Sequence, residues 1–179
     1  GVTGLICSAL VDILRVLKKN AINIKIIAAG RNVSKIIERF VDEVIPFEYE
    51  AMHSVDMPSN IDYIIHGAGN ASPELYTSQP VETMLSNIIG VNNLLRYCIG
   101  KKIKMVYISS SEVYGQKEVE AAFSEDSFGY IDQNNIRNSY SESKRSSEMI
   151  CRSYAKEYGV SVSIVRPGHI YGPTASNRD

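Results

Sequence analysis

Tyr140 and Lys144 stand four residues apart in the segment Tyr140-Ser-Glu-Ser-Lys144, a spacing that puts both side chains on one face of a helix. A free tyrosine is a poor base at neutral pH, because its reference pKa is about 10. A lysine ammonium nearby favours the phenolate, and the charge of an oxidised nicotinamide ring does the same. The tyrosine can then take a hydroxyl proton while a hydride leaves for the ring. The serine run Ser109, Ser110, Ser111 supplies a hydroxyl to hold the same substrate oxygen. A core-facing tyrosine beside a solvated lysine shows the same spacing, so the surroundings must decide.

Those surroundings alternate in type. Gly1 to Gly4 is a glycine turn, and Leu5 to Asn20 reads as a helix with Leu10, Leu14 and Leu17 at helical spacing. Ile22 to Ala29 is a β-branched strand, Val33 to Phe40 a short helix, and Glu43 to Phe47 a second strand that Pro46 weakens. Ile61 to His66 is a strand that ends in a loose segment, Gly67 to Pro73. Pro80 to Ile99 is a helix with proline at its start and Gly100 closing it. Ile103 to Ser109 is a strand that runs into the serines, and the polar stretch from Gln116 to Asn138 reads mostly as loop.

The next helix opens at Ser139, which has capping-box spacing to Glu142. Ile150, Tyr154 and Tyr158 give it an apolar stripe, and Gly159 ends it. Val160 to Val165 is the last strand, followed by the Pro167 to Pro173 turn region. Strands alternating with helices predict an α/β fold, a doubly wound parallel sheet with helices on both faces. Ligands in such sheets bind beyond the carboxyl ends of the strands. The glycine turn, Gly67 to Pro73, the serine run and Pro167 to Pro173 are therefore expected on one edge. The turn at Gly1 should follow a central strand, and that first strand is missing from the sequence.

The bulk numbers narrow the partners. At 179 residues the chain fits one domain, and 44% hydrophobic with 22% charged residues is the balance of an ordinary globular protein. A net charge of -1 gives no reason to expect nucleic acid or an acidic membrane, and no apolar run is long enough to span a bilayer. Cys7, Cys98 and Cys151 are an odd set without C-x-x-C spacing, which reads as small hydrophobes in a reducing, cytoplasmic setting. The three histidines lie far apart with no i, i+4 pair, so no metal is expected.

Taken in order, the pieces resemble the extended short-chain dehydrogenase/reductase superfamily, the NAD-dependent epimerases and dehydratases of nucleotide-sugars. They are G-x-x-G at the start, the D-Y-I-I-H strand, the N-x-x-G helix at Asn87 and Gly90, S-S-S-E-V-Y-G, Y-S-E-S-K-R, and R-P-x-H-x-Y-G-P from Arg166. The resemblance implies a Rossmann-like fold. It makes Tyr140 the base, Lys144 the residue that tunes it and holds the nicotinamide ribose, and Ser110 the substrate-oxygen partner, with Ser111 beside it. Glu112 matches the glutamate of members that go beyond epimerisation, where it removes the C5 proton or orients the ring. Within the superfamily the sequence is most similar to the UDP-glucuronate decarboxylases. They share Ala71-Ser72-Pro73 after the histidine-ending strand, and the set Arg137, Tyr140, Glu142, Lys144 and Arg145.

The same resemblance implies a retained, recycled cofactor. It would be lined by Gly1, Gly4, Leu5, Ile6, Arg31, Asn32, Ala68, Gly69, Tyr140, Lys144 and Pro167. It implies a nucleotide-sugar held by Ser110, Ser111, Tyr140 and His169, and a homodimer paired through the Pro80 and Tyr140 helices. The sequence also departs from the pattern. Cys7 stands where a third glycine is usual, and Gly30-Arg31-Asn32 carries no acid for a ribose 2′-hydroxyl. Arg31 suits either a 2′-phosphate or the face of an adenine, which leaves NAD and NADP both open. His169 replaces an asparagine. The C-terminal lobe that grips the nucleotide is mostly absent, so residues 1–179 are expected to be the dinucleotide-binding part of a longer enzyme. A cofactor-binding sensor or scaffold on the same fold is the alternative, and the retained tyrosine, lysine and serine set argues against it.

Overall fold

In the computed structural model the described residues are 1–20, 22–40, 43–53, 56–116 and 122–172. They form two compact units, one of Gly1–Glu50 with the segment that starts at Ile170, the other of Ala51–His169.

The first unit opens with helix α1 (Leu5–Lys19), followed by strand β1 (Ile27–Gly30), helix α2 (Val33–Phe40) and strand β2 (Ile45–Glu48). Strands β1 and β2 pair in parallel, Ile27 with Ile45 through Gly30 with Glu48. Pro46 is tolerated in β2 because a two-stranded sheet has only edge strands. The core is Val2, Val11, Ile26, Ala28, Ile36 and Phe40, with Leu14, Ile24 and Val44 packed against it. The buried stripe of α1 therefore centres on Val11. Leu17, expected to face inward, is 37% exposed in the last turn. Arg15 pairs with Asp12 one turn earlier on α1 and ties the helix to Glu43.

The second unit holds strands β3 (Tyr63–His66), β4 (Lys104–Ile108) and β5 (Ser161–Val165) in one parallel sheet of that order. The register runs Tyr63–Lys104–Ser161 to His66–Tyr107–Ile164. The pairing orders within the two sheets are those of strands 3-2 and 4-5-6 in a doubly wound sheet. The strand numbered 1 there has no counterpart among the described residues. Three helices complete this unit: α3 (Pro73–Ser78), α4 (Pro80–Cys98) and α5 (Ser139–Tyr158).

Helix α4 buries Asn87, Val91, Leu94, Leu95 and Cys98 at helical spacing. Its partner α5 buries a different stripe from the one its apolar residues suggest. Tyr140, Lys144, Ser147, Glu148 and Cys151 face inward, while Tyr158 is 49% exposed. A polar stripe can be buried here because many of its groups find partners across the helix pair. Asn87 Nδ2 donates to Ser143 Oγ at 3.0 Å, Ser147 Oγ to the Asn87 carbonyl at 3.2 Å, and the Tyr154 hydroxyl to Asn92 Oδ1 at 2.8 Å. Gly159, at φ +68°, caps α5 in the left-handed conformation.

The expected capping box does not form. Asn138 is the residue ahead of the helix, and Ser139 already lies in its first turn with its hydroxyl donated to the Tyr76 carbonyl at 3.2 Å. Glu142 pairs instead with Arg145, 3.9 Å away on the next turn. Two further expectations shift. The segment after β3 is not loose throughout, since Ser72, Pro73 and Glu74 start α3. The Gln116–Asn138 stretch carries a bridge between Gln116 and Tyr130 and a 3₁₀ turn at Ile136–Asn138. Pro173, the end of the expected last turn, lies outside the described residues.

Candidate active site

Because β3, β4 and β5 are parallel, the segments that follow them leave one edge of the sheet. These segments are Gly67 to Ser72, Ser109 to Ser111 and Arg166 to His169. The glycine turn belongs to the other unit.

The serine run is pinned by main-chain bonds. Ser109 N donates to the Val165 carbonyl at 2.7 Å, and Ser111 N to the Pro167 carbonyl at 2.9 Å. Ser110 is the cap of the 3₁₀ turn Ser111–Tyr114, accepting the Glu112 amide on its Oγ at 3.2 Å. That hydroxyl also lies close enough to the Tyr140 phenol to favour its ionisation, which brings the expected serine and tyrosine together.

One turn further along α5, Lys144 is buried, and its Nζ donates to the Ile108 carbonyl at 2.8 Å. The ammonium lies 4.8 Å from the centre of the Tyr107 ring and 5.8 Å from that of Tyr140. Burial lowers the lysine pKa to about 8, with the Cys151 and Glu148 charges working the other way. Tyr140 is raised, first by burial, while the nearby Ser110 hydroxyl pulls it down and the Glu112 charge pushes it up again. The lowering of the phenol expected from a neighbouring lysine is not among the causes that act on it in the protein alone.

Glu112 is not a solvated loop acid. Both its oxygens accept from Arg137, at 3.0 and 3.2 Å, and Oε2 also takes the Ser141 hydroxyl at 2.7 Å. Arg137 in turn lies over the Tyr76 ring at 5.6 Å. Tyr76 stacks on Tyr140 with ring centres 4.6 Å apart and an interplanar angle of 16°. Arg145, next to Lys144, donates to the carbonyls of Val113 and Gly129. Arg166 grips the Glu148 carboxylate through Nε and Nη2, and gives Nη1 to the Glu125 carbonyl. The site edge therefore hangs from three arginines.

The remaining expected residues stand apart from this cluster. His169 is exposed, and no hydrogen bond among the described residues joins it to Tyr140 or Ser110. Ala68 and Gly69 follow β3. Gly69 has φ +148°, and a Cβ there would sit 2.5 Å from Asn87 Oδ1, so only glycine fits. In the first unit, Gly4 caps α1, whose first turn, with Leu5 and Ile6, has no side-chain cap and no acid. Its free amides and positive helix end suit a pyrophosphate. Arg31 is exposed just after β1, and Asn32 Oδ1 accepts the Lys35 amide at the start of α2.

Tyr76, Ser141, Tyr107 and Asn87 were not singled out as site residues by sequence reasoning. Asn87 does carry a signal in the N-x-x-G motif, and Tyr76 one in the Ser72-Pro73-Glu74 helix start that places it one turn on.

The sequence profile of the NAD dependent epimerase/dehydratase family matches residues 1–179. UDP-glucuronic acid decarboxylase 1 of Xenopus tropicalis is 35% identical over 119 residues, 66% of this chain and 28% of that protein. UDP-glucuronic acid decarboxylase 3 of Arabidopsis thaliana is 31% identical over 178 residues, 97% of this chain and 50% of that protein. Among solved structures, a UDP-glucose 4-epimerase of Thermotoga maritima with UDP-glucose superposes with a TM-score of 0.78 at 25% identity, over 98% of this chain and 56% of that one. The chain spans half or less of the length of these two curated relatives.

Proposed function

Because the chain belongs to the NAD dependent epimerase/dehydratase family, we propose that its protein modifies a nucleotide-sugar by transient oxidation at C4. The observation that carries this reading is the enclosure of Tyr140 with Ser110 and Lys144 at the end of β4. Tyr140 takes the proton of the substrate hydroxyl and later returns it, and Ser110 holds the oxygen between the two events. Lys144 contributes a positive charge on the same side as the phenol, with its stem buried and its direction fixed by the Ile108 carbonyl.

Residues 1–179 serve as the dinucleotide-binding part. Gly1, Gly4, Leu5 and Ile6 would receive the pyrophosphate, Arg31 and Asn32 the adenosine end, and Ala68, Gly69, Pro167 and Lys144 the nicotinamide end. A nicotinamide bound there supplies a hydride acceptor and donor that is regenerated each cycle. NAD and NADP both suit the exposed Arg31, with no acid beside it.

Decarboxylation is the favoured outcome after oxidation, supported by the decarboxylases among the relatives. A 4-keto uronate is a β-keto acid, so its C5 carboxylate leaves as carbon dioxide while the bonding pair stays on C5. Ser111 and His169 complete the substrate side of the site. The protein works in the cytoplasm as a homodimer paired through α4 and α5. Exposed Val81 and Leu85 on α4 and Met149 on α5 support that pairing, and free Cys7, Cys98 and Cys151 suit a reducing compartment.

The test is mass spectrometry of products from UDP-, dTDP-, GDP- and CDP-sugars with the complete protein. Loss of carbon dioxide from UDP-glucuronate is expected. Loss of water, or an isomer of unchanged mass, would move the assignment to dehydratase or epimerase. Bound cofactor without any product would favour a sensor.

A further inference from the structure

Tyr76 lies under the candidate base, and nothing in the reading above uses it. It is 3% exposed, its ring is nearly parallel to that of Tyr140 at 4.6 Å, and its hydroxyl points to the Ala71 carbonyl at 3.4 Å. Such a stack contributes about 0.5–1.5 kcal/mol beyond the area it buries, and it fixes the plane of both rings. Burial, followed by the charges of Glu112 and Tyr140, pushes the Tyr76 phenol up to about 12, so it stays neutral and cannot replace Tyr140 as base.

Two hydroxyls fasten this arrangement on either side of Tyr140. Ser139 Oγ donates to the Tyr76 carbonyl at 3.2 Å, and Ser141 Oγ to Glu112 Oε2 at 2.7 Å. Arg137 closes the circuit, bound to the Glu112 carboxylate and lying over the Tyr76 ring at 5.6 Å. Helix α3, the 3₁₀ turn of Glu112 and the first turn of α5 are thereby locked around one phenol.

We propose that Tyr76 is a positioning residue, an aromatic plate that sets the ring plane of Tyr140 and is itself held by Ser139 and Arg137. The role belongs to the ring face, so phenylalanine replaces it and leucine does not. The inference rests on Tyr140 being the base of the proposed reaction, and part of its test needs no turnover.

In the complete protein, Tyr76→Phe, Tyr76→Leu and Ser139→Ala are compared with the parent by turnover and by ultraviolet titration of the Tyr140 phenol. The phenol signal is isolated by subtracting the Tyr140→Phe protein. The groups that face Tyr140 are Ser110, Glu112 and Lys144, with Tyr76 on its ring and Arg137 beyond. Because burial is the main cause raising the phenol, Tyr76→Leu is expected to bring its titration down toward the ordinary tyrosine value. The same change is expected to cut kcat by about tenfold or more, with KM within about threefold. Tyr76→Phe keeps kcat within about threefold and leaves the titration in place. A folded Tyr76→Leu protein with parental kcat and an unmoved titration overturns the proposal. If Tyr76→Leu does not fold, an unmoved titration in Ser139→Ala overturns it instead. Turnover surviving in Tyr140→Phe would strike the proposed function, while the effect of Tyr76 on an ionising Tyr140 is still read in the titration.

Discussion

The ammonium of Lys144 donates to the main-chain carbonyl of Ile108 across 2.8 Å, pinning the helix that carries the tyrosine to the strand end that carries the serines. That bond is made in a buried place, and the burial has a measurable cost. Lysine in the folded protein titrates at about 8 rather than near 10.5. Below about pH 8 the folded state carries the full cost of the buried charge. Between about 8 and 10.5 the folded state gives up its proton while the unfolded chain keeps it, so stability rises with pH. Lys144→Met removes this dependence. The difference between parent and variant unfolding free energies should change by on the order of 3 kcal/mol across that window. Chemical denaturation at several pH values checks it, and parallel curves would refute the assignment.

His66 gives the opposite end of the pH range. It is 3% exposed, stacks on Tyr107 at 5.9 Å, and has no hydrogen-bond partner at Nε2 among the described residues. Burial, then the Lys144 charge, lowers its pKa from 6.5 to about 3. The neutral ring is required, so its contribution is complete above pH 6.5 and is lost as pH falls toward 3. His66→Phe should flatten the acid limb of stability while leaving stability near neutrality no lower than the parent, since no hydrogen bond at Nε2 is removed. Thermal midpoints measured from acid to neutral pH decide the matter.

Gly69→Ala is expected to destabilise by about 1–3 kcal/mol, from a left-side φ and a Cβ placed 2.5 Å from Asn87 Oδ1. Urea unfolding measures the loss. Cofactor affinity, followed by fluorescence of added NADH, should fall with it, because the same loop is proposed to line the nicotinamide end.

Arg166 and Glu148 form the most buried ion pair described, with side chains 13% and 6% exposed. Arg166→Met leaves the carboxylate without its cation and should cost about 3–5 kcal/mol. The double change Arg166→Met with Glu148→Leu should recover much of that, and a double-mutant cycle by denaturation reads the coupling.

Much of this was legible in the residues. Helix α2 is read to the residue at Val33–Phe40, and each strand overlaps the span expected for it, although β1 begins at Ile27, five residues later than read. Hydrophobic periodicity and glycine or proline punctuation carry that information locally. Ser110, Tyr140 and Lys144 also meet as expected. What stayed hidden was set by partners distant in sequence. Ser139 looks like a cap, yet its hydroxyl goes to Tyr76, sixty-three positions away. The buried face of α5 is polar because it bonds across to α4, as Asn87 Nδ2 does to Ser143, which an apolar stripe cannot announce. Glu112 matches the family's glutamate in sequence, but nothing local announces that Arg137 and Ser141 hold its oxygens.

The parallel register of β3, β4 and β5 has a consequence for how such a site can change. Each strand delivers its own short peptide to the same rim, and the ladder His66–Tyr107–Ile164 holds whatever those peptides become. Insertions beyond the rim leave the side-chain alternation intact, whereas a single slip within a strand would turn every residue over. The peptide after each strand can thus change in length or sequence while the ladder beneath it stays as it is.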